Sequence, residues 1–171
     1  VRVLLVAVVA AIAATGAAHA AKPKPKPKLD VKNSARIWAT VNVCDTKRHK
    51  NRVGVRVSMP GRGKKRELMY VRIKLEYKDQ ATGKWIAIGK GADSGWLKLG
   101  SSKYVRRETG RLFQLKPPPA GEMFFIRGKV SYQWRLGKTT IKRATRTTSG
   151  RISDVKEADP ADYSAGICFL T

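Results

Sequence analysis

From Ala35 onward, apolar and polar residues alternate with a period of two. Ile37, Ala39, Val41 and Val43 share one face, with Arg36, Trp38, Thr40 and Asn42 on the other. Val53, Val55, Val57 and Met59 repeat the pattern, as do Met69, Val71, Ile73, Leu75 and Tyr77. Successive side chains of a strand point to opposite faces, so alternation over this many positions predicts strands with one buried and one wet face. The basic stretch Pro60–Lys65 reads as a turn between the second and third runs, and the basic residues from Lys47 to Arg52 read as a loop between the first and second. Asp79-Gln80-Ala81-Thr82-Gly83 predicts a hairpin into Lys84–Ile88, because Gly83 is free to take positive φ.

Short strands follow at Trp96–Leu99 and Arg111–Leu115, the latter stopped by Lys116-Pro117-Pro118-Pro119. The clearest strand is Met123–Arg135, with Phe124, Ile126, Gly128, Val130, Tyr132 and Trp134 on one face. Leu136-Gly137-Lys138 turns it into the threonine-rich Thr139–Thr147, and a last strand is expected at Gly166–Leu170. No stretch after residue 20 carries a 3.6-residue period. Short strands with regular turn signals predict an all-β fold, a single antiparallel β-sandwich spanning residues 35–171.

The segment PPPAGEMFFIRGKVSYQWRLGKTTIKRATRTT resembles the penultimate strand, hairpin and final strand of bacterial immunoglobulin-like or fibronectin-type-III-like domains. With its early and terminal cysteines, the layout is similar to secreted actinobacterial proteins carrying such domains. The resemblance covers about residues 35–171 and implies an immunoglobulin-like sandwich with an adhesive role. It brings no catalytic residues. Antibody-type domains space their inter-sheet cysteines more closely than Cys44 and Cys168.

Upstream, Arg2 precedes a run without charge from Val3 to Ala18, and the run closes on Ala18-His19-Ala20. A charged start, an apolar middle and small residues at the peptidase positions are the layout of a secretory signal peptide over residues 1–20. The expected localisation is therefore extracytoplasmic, secreted or bound to the envelope. An uncleaved anchor is the alternative. It is disfavoured by a short, alanine-rich run and by Lys22, Lys24, Lys26 and Lys28 just after it, which the positive-inside bias would hold in the cytoplasm. Those lysines alternate with prolines, so residues 21–34 are expected to form an extended linker.

Export bears on the cysteines. The chain has two, and an even pair in an oxidising compartment is most simply one disulfide, Cys44–Cys168, joining the first and last strands. Two cysteines and His49 are too few for a zinc site, and no cofactor is expected. His49 lies among cations with nothing nearby in sequence to orient it, and GxSxG, HExxH and P-loop patterns are missing, so the expected class is non-enzymatic. Asp154, Glu157, Asp159 and Asp162 lack the spacing of a calcium loop and read as partners for surface lysines, with calcium the alternative.

The charge is the feature furthest from ordinary: 36 Lys and Arg against 12 Asp and Glu, a net +24. At 42% apolar residues, that charge coats a normal core and does not replace one. Such density attracts phosphate and carboxylate polymers without sequence specificity. The candidate polyanion-binding residues are Lys22, Lys24, Lys26 and Lys28, then Lys47, Arg48, Lys50 and Arg52, then Arg62, Lys64, Lys65 and Arg66. Lys103, Arg106 and Arg107 mark a further basic loop. The expected partners are acidic cell-envelope polymers or other polyanions. A carbohydrate-binding module that stacks sugars on Trp38, Trp85 and Trp96 is the alternative, and a purely structural domain without a ligand is the third reading.

Overall fold

A computed structural model describes residues 34–171. The expected signal peptide and nearly all of the expected Lys/Pro linker lie outside the described residues. The described residues form nine strands: β1 Trp38–Thr46, β2 His49–Pro60, β3 Lys64–Lys78, β4 Trp85–Ala87, β5 Leu97–Ser102, β6 Arg106–Gln114, β7 Phe124–Leu136, β8 Thr139–Thr147 and β9 Cys168–Leu170. Every pairing between them is antiparallel. The fold is all-β, and no helix occurs among the described residues.

One sheet has three strands in the order β1-β2-β6. The other has six and is built on the long central pair β3–β7. The outer edge of β3 is shared by β5, opposite Leu68–Val71, and β4, opposite Glu76–Lys78. The outer edge of β7 is shared in the same way by β8 and β9. A single apolar core draws Val41, Val55 and Met59 from the first sheet and Met69, Ile73 and Val130 from the second. This arrangement is compatible with a β-sandwich.

Two buried aromatic residues of β7 also bond across to the first sheet. The Tyr132 hydroxyl donates to the Trp38 carbonyl at 2.7 Å, and the Trp134 indole N–H donates to the Pro60 carbonyl at 3.0 Å. Both side chains are fully buried, so each needs such a partner. Burial also pushes the Tyr132 hydroxyl pKa well above the ordinary tyrosine range.

The register of β1 on β2 shifts at two places, Val41/Val43 and Cys44/Thr46, and the first of these reverses the alternation of β1. Val41 pairs with Val55 but Val43 pairs with Gly54, so Asn42 is the extra residue of a β-bulge. The slip of one residue turns Cys44 inward, opposite Val53, where it reaches Cys168 of β9 with a Cα–Cα distance of 5.4 Å. The disulfide therefore ties one sheet to the other. Val43, grouped with Val41 on the apolar face by the sequence pattern, faces the other way. There it is covered by the segment before β9, through the bond from Asp159 N–H to the Asn42 carbonyl. Gly54 is what lets the bulge close, since a Cβ there would sit 2.8 Å from Asn42 Oδ1 and 2.9 Å from Val43 Cβ.

Candidate functional site

The sequence places its two basic runs in loops, but most of these residues are on strands. Only Lys47 and Arg48 occupy the β1–β2 turn, because Thr46 pairs with His49 across it. Lys50 and Arg52 belong to β2, and Lys64, Lys65 and Arg66 to β3. Near strand ends both faces are wet, so apolar alternation fades before backbone pairing does.

Lys47–Arg52 and Arg62–Arg66 lie at opposite ends of β2. At ~3.3 Å per residue the stretch from Arg52 to Pro60 alone separates them by roughly 26 Å, so they do not form one patch. At the hairpin end, Lys50 Nζ is 3.9 Å from Asp45 Oδ1, and Arg52 Nε donates to Gln114 Oε1 at 2.8 Å.

At the other end the structure joins two turns that the sequence left apart. The Gly61 N–H donates to the Val105 carbonyl at 3.0 Å, and the N–H groups of Arg62 and Gly63 donate to the Ser102 carbonyl at 3.0 and 2.9 Å. The β2–β3 turn thus lies on the β5–β6 turn, and a Cβ at Gly61 would collide with the Tyr104 carbonyl oxygen. Arg62, Lys64, Lys65 and Arg66 come together with Lys103, Arg106 and Arg107 in one basic cap. Two carboxylates temper it. Glu67 is almost wholly buried and takes Arg62 Nη1 at 2.7 Å, and Glu108 lies 3.3 Å from Arg106. Arg62 is therefore turned inward by its partner, whereas Lys64, Lys65, Arg66 and Lys103 are exposed. At the apex, Tyr104 and Val105 are exposed, and Arg107 lies 4.5 Å over the Tyr104 ring.

The polar face of the six-stranded sheet carries as many cations, but several are neutralised locally. Arg72 and Lys74 share Asp93, and Arg127 and Lys129 share the buried Glu76. Three of its aromatic rings are covered by guanidinium groups. Arg127 sits 4.1 Å over Trp85, and Arg135 lies 4.3 Å from the Tyr70 ring and 4.7 Å from that of Trp96. Trp38 belongs to the other sheet, so the three tryptophans do not make one strip.

Two acidic residues of the segment before β9, Glu157 and Asp159, turn to separate partners. Glu157 takes Arg56 at 2.8 Å, across the outer face of the first sheet. Asp159 accepts the Thr46 hydroxyl and lies 3.8 Å from His49 Nε2. The carboxylate is the hub of this trio, and the hydroxyl faces it and not the imidazole, so the contacts lack the nucleophile–base order that acyl transfer uses. Among the described residues no group of three or more His, Cys, Asp or Glu side chains is placed to hold a metal ion.

No protein-family model matches the chain, and no curated protein does.

Proposed function

We propose that this chain is an exported, non-catalytic domain of immunoglobulin-like sandwich type that binds acidic envelope polymers electrostatically. The observation that carries the reading is the docking of the β2–β3 turn on the β5–β6 turn. It gathers seven basic side chains on one end of the domain, against the carboxylates of Glu67 and Glu108 within the cap and Asp154 beside Arg106. Close-set cations on a rigid turn pair attract a polyanion by releasing its counterions, and they need no fixed sequence in the polymer. The hairpin-end residues Lys47, Arg48, Lys50 and Arg52 add a second, weaker attachment point. Lys22, Lys24, Lys26 and Lys28 supply further charge upstream of Ser34. The disulfide supports export, because such bonds persist in oxidising compartments.

The test is retention on heparin, duplex DNA and a neutral polysaccharide across a salt series. Binding that neutralises about 5 phosphates gives a log–log slope near −4 on duplex DNA. The variant Lys64→Gln/Lys65→Gln/Arg66→Gln should make that slope distinctly shallower, and Lys47→Gln/Arg48→Gln should change it less. Salt-insensitive retention on the neutral polymer, lost in Trp85→Ala or Trp96→Ala, would replace the electrostatic reading with the carbohydrate module.

A further inference from the structure

At the hairpin end of the molecule, far from the basic cap, a cleft of about 590 Å³ opens between β3, β7 and the end of β6. Its volume lies in the range of small-molecule sites, roughly 300–1,000 Å³. The walls are apolar: Ile88, Leu115 and Phe124 are half-buried, Tyr77 stands beside them, and the fully buried Ile126 reaches in from the core. Lys90 and Lys116 stand at its rim, and no carboxylate lines it.

Both lysines are held on constrained backbone. Lys90 lies between Gly89 and Gly91, which take φ of 89° and 85°. That turn is anchored on each side, by the bond from Ile88 N–H to the Leu75 carbonyl and by the bond from Leu75 N–H to the Ala92 carbonyl. Lys116 follows Leu115, whose N–H is held by the Asn51 carbonyl at 2.9 Å, and precedes three prolines. Among the described residues neither lysine has an ion-pair partner, unlike Arg72, Arg127 or Arg62. A polymer cannot use an apolar slot that runs toward the core, and a neutral alkane has no use for two unpaired ammonium groups at the mouth.

We propose that this cleft binds a single-chain amphiphile with an anionic head group. The alkyl chain lies against Ile88, Leu115, Phe124 and Ile126, and the head group sits between Lys90 and Lys116. The site is separate from the cap, with which it shares no residue, and it adjoins the hairpin-end cations through Gln114, which accepts from Arg52 Nε.

Isothermal titration of the oxidised protein with myristate, below its micelle concentration, tests the proposal, with methyl myristate as the neutral control. Saturable binding at one site per chain is expected, at least tenfold weaker for the ester. Lys90→Gln/Lys116→Gln should weaken myristate at least tenfold, and both positions are exposed, so the fold survives the change. Leu115→Trp should fill the slot and abolish binding, with circular dichroism confirming the fold. Lys64→Gln/Lys65→Gln/Arg66→Gln should leave myristate binding unchanged even where it abolishes heparin retention. Absence of saturable myristate binding would overturn the proposal, as would binding that the cap variant removes and the cleft variants keep.

Discussion

The Trp134 indole N–H donates to the Pro60 carbonyl at 3.0 Å, from the middle of one sheet to the end of a strand in the other. Both partners are buried, so the bond has no water to replace it. Trp134→Phe keeps an aromatic ring but leaves the carbonyl unpaired and a gap where the second ring stood. The expected loss is about 2–4 kcal/mol of unfolding free energy, read from the urea midpoint at unchanged slope. A variant as stable as the parent would mean that the bond contributes nothing net.

The link between Cys44 and Cys168 spans 124 positions of sequence. On the chain-entropy account, closing a loop of this length stabilises the fold by about 4–5 kcal/mol. Cys44→Ala/Cys168→Ala should therefore unfold at much lower denaturant than the oxidised parent, and the reduced parent should match it. Intact protein should show no free thiol under denaturing, non-reducing conditions.

Gly61 is the contact point of the basic cap. Gly61→Ala brings a methyl group against the Tyr104 carbonyl, so the β2–β3 turn must lift away from the β5–β6 turn. Hydrogen exchange should then accelerate at Gly61, Arg62 and Gly63, whose N–H groups make the inter-turn bonds, while the β3–β7 ladder stays protected. Heparin retention should weaken although no charge has been removed. Unchanged retention would show that the cations act without being held together.

Asp93 supplies an acid-side test. The Arg72 guanidinium, bonded to it at 2.8 Å, holds its carboxyl below the ordinary aspartate range, against an opposing effect of burial. As pH falls, the unfolded chain takes up this proton first. The stabilisation is thus complete above about pH 4 and is lost as pH drops through the lower folded value. Asp93→Asn should flatten the acid limb of a plot of urea midpoint against pH and leave its neutral part parallel to that of the parent.

Which residues face the core was largely legible in the alternation, but the outer face of β1 and β2, read as wet, is buried too at Thr40, Asn42, Arg56 and Ser58, because the segment before β9 covers part of it. Strand partners were not legible, since the period says which way a side chain points and not what lies beside it. Val43 and Cys44 mark the limit. The pattern put Val43 inward, and a single extra residue at Asn42 reversed the order and sent the cysteine to the core side. The basic cap was visible only as separate charge runs, because the bonds that unite them join Gly61–Gly63 to Ser102 and Val105. The cleft was not visible, because four separate segments line it and each looks like ordinary strand or loop.

The disulfide also determines what happens when the chain is cut. Every exposed turn from Lys47 to the segment before β9 lies inside the covalent ring closed by Cys44 and Cys168. A protease that clips the proline-rich stretch after Leu115, or the turn at Ala81–Gly83, produces a nicked molecule and not two separable pieces. The strands on either side of the cut remain paired across it, since β3 is bonded to β7 over both cuts and β2 to β6 over the one at Ala81–Gly83. Damage at the surface is thereby uncoupled from loss of the domain, and single cleavages can accumulate before the particle comes apart.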